Sequence, residues 1–135
     1  MRVKCIANNH NNISDAYIKA GHFTTSIIDE LVEVGKIYTV YGIYSSTGVL
    51  SYLINSPWEN CPIWHIAEIF EIVDNTIPQG WYFNYWGYGD TNTVNAVWGY
   101  RELALDGHHF DGLQERIPEA CGLFAIRKME IDEVS

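Results

Sequence analysis

Between residues 37 and 100 the chain has no lysine or arginine at all. The whole protein sets 17 acidic residues against 8 basic ones, for a formal net charge of −9. A surface so negative repels nucleic-acid phosphates and anionic headgroups and attracts basic partners, which excludes the usual nucleic-acid and membrane-surface binders. Long apolar runs are missing too, and nothing approaches the roughly 20 residues needed to cross a bilayer. The N-terminal stretch Met1 to Ala7 meets Asn8 and Asn9 too early for a signal-peptide core, so a cytoplasmic location is expected. Cysteine is scarce. Cys5, Cys61 and Cys121 form an odd set without C-x-x-C spacing, which argues against a disulfide framework or zinc knuckle and favours small buried hydrophobes. A Walker loop, a dinucleotide fingerprint, a G-x-S-x-G elbow and a H-E-x-x-H pair are all absent, so no catalytic residue, metal or cofactor is expected.

What is present is aromatic. The span that lacks cations holds all five tryptophans and eight of the nine tyrosines, together with Glu59, Glu68, Glu71, Asp74 and Asp90. Rings and carboxylates together suit incoming Arg and Lys, through cation–π attraction and charge-assisted hydrogen bonds. Part of this aromatic content is expected to fill the core of a small β-domain, and the remainder to anchor an interface.

The 135 residues fit a single domain, 1–135, able to bury a core without metal or disulfide support. Residues 2–7 read as a first strand and 8–12 as a polar loop. Thr24 or Thr25 can cap a helical turn over 27–32. Ile37 to Tyr44 is dense in β-branched and aromatic residues; with the turn at 45–48 and the return at 49–54 it makes a hairpin. A short strand at 63–66, a helical turn at 67–70 and a strand at 71–74 follow. After a joint at 75–80, the repeated Trp-Gly-Tyr at 86–88 and 98–100 marks a second hairpin, with arms at 81–88 and 93–98. The last third is helical: a turn at 102–105, a short helix at 109–116, and a final helix from Glu119 to Asp132 opened by Pro118. The fold class is α+β, mainly β. A small SH3-like barrel or bent antiparallel sheet (1–75) is extended by a second hairpin and C-terminal helices (76–135).

One cluster invites chemistry: Asp106-Gly107-His108-His109-Phe110-Asp111. Adjacent histidines point in different directions and no ligand pair stands at i+3 or i+4, so one imidazole is expected to pack and the other to be solvated.

Val34 to Val40, Tyr52 to Ile54 and Ala67 to Asp74 resemble the SH3-like barrel of many short bacterial and phage proteins. The continuation through Ile77-Pro78, Trp81 to Phe83 and Val97 to Leu103 is similar to a family of uncharacterised small bacterial proteins. That resemblance implies an immunity protein of the contact-dependent inhibition and polymorphic toxin systems, which binds a cognate, basic nuclease-type toxin domain and occludes its active site. On this reading Glu68, Glu71, Asp74 and Asp90 meet toxin cations, Trp86 and Tyr88 act as anchors, and the free chain is a monomer. An SH3-like peptide-binding regulatory module is the alternative, and a small enzyme using His108, His109 and Asp111 is a third reading.

Overall fold

The computed structural model of the chain describes residues 1–7, 32–46, 48–56, 61–87 and 94–134. The expected loop at 8–12, most of the helical turn at 27–32, and the partner-binding candidates Tyr88 and Asp90 lie outside them. β1 (Arg2–Cys5), β2 (Ile37–Thr39), β3 (Gly42–Ser46), β4 (Val49–Ile54) and β5 (Ile63–Ile66) are followed by a 3-10 turn, Ala67–Ile69. Then come β6 (Phe70–Asp74), β7 (Tyr82–Tyr85), β8 (Ala96–Gly99), α1 (Arg101–Leu105), α2 (Gly107–Gln114) and α3 (Pro118–Val134).

Among the described residues the strands form two antiparallel sheets, ordered β2-β1-β6 and β5-β4-β3-β8-β7. The expected α+β, mainly β, architecture forms, and the second hairpin extends the larger sheet through the pairing of β8 with β3. The single strand read over 37–44 is instead two. Val40 donates its N–H to Met1 in the first sheet, whereas Tyr41 donates to Leu53 in the second. Both halves have the same β-favouring composition, so the change of sheet at 40–41 leaves no compositional mark.

Two cores result, and β4 serves both. Side chains alternate across a strand. Tyr52 and Ile54 therefore join Val3, Cys5, Tyr38, Val40 and Phe70 beneath the smaller sheet. Leu53 points the other way, to Tyr41, Val97, Leu103, Phe110, Leu113 and Phe124 beneath the helices. Gly42 and Gly99 face each other across β3 and β8, and a Cβ on either would collide with the Leu103 side chain. This bare spot lets α1 sit directly on the sheet. Arg127 of α3 reaches α1, where its Nε and a terminal nitrogen donate to the two Glu102 oxygens (2.9 and 2.7 Å). That pairing holds the Glu102 carboxyl below the usual carboxylate range.

The cysteine expectation is overturned. Cys61 and Cys121 are joined by a disulfide across 60 residues, and Cys5 keeps a thiol that donates to the Ala7 carbonyl. Odd count and missing C-x-x-C spacing describe neighbours in sequence. They carry no information about two cysteines whose Cα atoms the fold brings within 5.1 Å.

The final helix runs through Gly122, an exposed position where an added Cβ would meet nothing within 4 Å. Glycine costs a helix interior about 0.5–1 kcal/mol relative to alanine. Gly122→Ala should therefore raise stability by about that amount, measured as a higher urea midpoint at unchanged m-value. Among the described residues, no helix is long and apolar enough to cross a membrane.

Candidate partner-binding surface

The span without cations in sequence is not without them in space. β1 lies beside β6 and places Arg2 opposite Asp74 and Lys4 opposite Glu71. Arg2 Nε stands 3.8 Å from an Asp74 carboxylate oxygen. Hydrogen bonds from Thr76 hold that carboxyl below the usual range. Two of the three described candidate acids thus already face basic residues of the same chain. Glu68 is exposed on the 3-10 turn.

Trp86 is half-buried. Its indole N–H donates to the Ala104 carbonyl (3.0 Å), and its ring meets Phe110 edge-on at 4.9 Å. It pins the end of β7 to α1 and belongs to the helix-side core. The outward aromatics are its neighbours on the edge strand β7: Tyr82, Phe83 and Tyr85, exposed by 44, 54 and 62%. Strand alternation sends Tyr82 to the helix side, beneath Arg101, and Phe83 to the opposite face, against Trp98 at 4.9 Å. Rings and β6 carboxylates therefore sit on different sheets.

A stronger concentration of negative charge lies elsewhere. Asp106 ends α1 and caps α2, accepting the His108 and His109 backbone N–H groups at 3.0 and 3.4 Å, as N-cap aspartates do. One α2 turn separates Asp111 from Glu115, and Glu119 opens α3. With His108, Ile117 and Leu123 these four acids line a groove of about 400 Å³ whose wall, among the described residues, contains no lysine or arginine. All four are exposed.

The groove is built by the way α2 meets α3. The chain reverses at Arg116, which takes a left-handed φ of 58°. Ile117 donates back to the Gly112 carbonyl at 2.8 Å, closing the end of the helix. Gly112 lets α3 approach, since a Cβ there would come within 2.9 Å of the Ala120 Cβ. Arg116, the cation of this turn, directs its guanidinium to the Cys61 carbonyl at 3.5 Å. The disulfide then ties α3 to the segment before β5, one residue beyond the groove residue Ala120.

The two histidines divide as expected. His108 is exposed, while His109 is 5% exposed and its Nε2 lies 2.6 Å from the Tyr100 hydroxyl. Burial, the largest influence, lowers the His109 pKa from its ordinary 6.5, with Glu102 and Asp106 opposing. A base whose folded pKa lies below its unfolded value takes up protons on unfolding. Its contribution to stability is therefore complete above about pH 6.5 and lost as pH falls through the lowered folded value. The urea midpoint should drop over that window in the native chain, and less so in His109→Gln. No group of three or more potential metal ligands occurs among the described residues.

The groove escaped the sequence reading because Asp106 to Asp111 drew attention as catalytic residues, while Glu115 and Glu119 looked like ordinary helix charges. The available signal was the balance over 102–119, five acids against the single Arg116. Comparison with known proteins adds nothing to this geometry: no family model, curated protein or solved structure matches the chain. The resemblance to SH3-like and immunity-type proteins rests on its motifs alone.

Proposed function

We propose that the chain is an immunity-type protein whose acidic α2–α3 groove receives a basic segment of a cognate toxin domain and so occludes that domain's active site or substrate channel. The supporting observation is the groove itself: Asp106, Asp111, Glu115 and Glu119 around one concavity with no cation among the described residues of its wall, on a chain of net charge −9. Exposed carboxylates accelerate capture of a basic partner by steering, and those desolvated in the complex slow its release. The proposal moves the docking surface from Glu68, Glu71 and Asp74 to the helices. Glu71 and Asp74 have opposite charges across the ladder already, whereas the groove acids present theirs outward.

Co-expression with the product of the adjacent gene tests this. A complex that co-purifies and dissociates in high salt, together with toxicity of that product in cells lacking this chain, supports the proposal. A non-toxic neighbour that leaves the chain unbound overturns it.

The regulatory-module reading retains one favourable observation. Among the described residues β7 is an edge strand bearing three exposed rings, a suitable template for strand addition by an extended peptide. A housekeeping partner whose binding protects the β7 amides from hydrogen exchange would favour it.

The working compartment turns on the disulfide. Disulfides persist in oxidising compartments. A cytoplasmic placement requires Cys61 and Cys121 to be thiols in the cell. Three alkylated cysteines in protein trapped on lysis support that placement, and Cys5 alone supports an oxidising compartment.

A further inference from the structure

A second cavity, of about 560 Å³, lies away from the acidic groove, between the segment preceding β7, the start of α1 and the last turns of α3. Its size is that of a small-molecule site. Trp81, Tyr100 and Ile131 give it apolar walls, and Arg101, Arg127 and Glu130 give it charge.

Most of its polar groups are already occupied. The Tyr100 hydroxyl is taken by His109. Arg127 is held by both oxygens of Glu102 and both oxygens of Glu130, the latter at 3.0 and 3.1 Å. One charged donor remains. Arg101 is exposed and stacks over the Tyr82 ring at 5.7 Å, with no ion pair among the described residues. Trp81 contributes its ring face alone, since its indole nitrogen is sealed from the cavity. An unpaired guanidinium in a cavity wall points to an anion supplied from outside the chain.

We infer that this cavity binds a small aromatic carboxylate, its flat apolar body against the Trp81, Tyr100 and Ile131 walls and its carboxylate directed to Arg101. Arginine's planar fork fits a carboxylate with two parallel hydrogen bonds. The choice of a singly charged acid follows from charge balance. One unpaired guanidinium offsets one negative charge, whereas a phosphate monoester of about −1.5 to −2 would remain partly uncompensated beside Glu130.

The test is an NMR titration of the full ¹⁵N-labelled chain with indole-3-acetate, following the Trp81 indole and Arg101 guanidinium resonances. Saturable one-to-one binding with a Kd below about 1 mM is expected. Arg101→Met should weaken it about tenfold or more. Arg101 is exposed, so its variant is expected to keep the native spectrum elsewhere. Indole-3-acetamide, equal in shape and uncharged, should bind at least about tenfold more weakly, and phenyl phosphate should not exceed the carboxylate. No saturation by about 10 mM, or equal binding by Arg101→Met or by the amide, overturns the inference. Tighter binding of phenyl phosphate overturns the choice of carboxylate.

Discussion

Reducing the Cys61–Cys121 bond should remove about 4 kcal/mol of stability, the entropy that a closed loop of 60 residues withholds from the unfolded chain. That is a large share of the roughly 5–15 kcal/mol typical of a whole domain. The bond also has a particular location. Cys61 is 2% exposed in the helix-side core, and Cys121 lies in α3 beside the groove. Opening it removes the covalent tie between α3 and the segment before β5, while Phe124 and the Arg127–Glu102 pair still hold the helix on its core. With an m-value of about 2 kcal/mol/M for urea, the midpoint should fall by about 2 M on adding reductant. The Cys61→Ala, Cys121→Ala double variant should show the lower midpoint with or without reductant. An unchanged midpoint would mean that the two sulfurs are not bonded in the folded protein.

The second large effect concerns binding. Replacing Asp106, Asp111, Glu115 and Glu119 by their amides removes four charges with little change of shape. Asparagine is as good an N-cap as aspartate, so Asp106→Asn leaves the start of α2 intact. Close charge pairs across an interface couple by about 1.5 kcal/mol or more, so the fourfold variant should bind a basic toxin domain at least about 100-fold more weakly. Its association rate should also lose most of the salt dependence of the parent, because steering by exposed charge is screened over about 10 Å at 0.1 M salt. Glu71→Gln with Asp74→Asn serves as the comparison. Both residues face cations of β1, so their neutralisation should change affinity only slightly. Equal affinities for parent and fourfold variant would remove the groove from the interface.

Local pattern carried much of this fold, and failed where long-range contacts decide. The hairpin at Ser45 to Gly48 was legible because Gly48 supplies the left-handed turn position, with φ +84°. The turn at Ala67 to Ile69, the β7–β8 hairpin and the described C-terminal helices were legible from period and punctuation. The break between β2 and β3 was not, since consecutive residues of one β-rich run bond to different sheets. The disulfide was not, because nothing in the spacing of Cys61 and Cys121 encodes their meeting.

The charge reading failed in the same way. Arg2 and Lys4 are far from Glu71 and Asp74 in sequence and opposite them in the sheet, so a stretch without cations does not make a face without cations. Conversely, the groove acids come from a capping residue, a short helix and the start of another. Only the αL turn at Arg116 and the close approach at Gly112 gather them. Tryptophan content misled by chemistry: Trp86 spends its indole N–H on Ala104, while the outward rings are the less conspicuous Tyr82, Phe83 and Tyr85.

The most direct measurement is a map of backbone amide shifts in the ¹⁵N-labelled chain on adding the purified product of the adjacent gene, the partner the proposal names. If the helices form the docking surface, the perturbed amides should cluster at 106–123 and lose their response in the fourfold amide variant. Perturbation confined to β1, β2 and β6, or spread with no focus on α2 and the start of α3, would contradict an acidic groove that receives a basic partner.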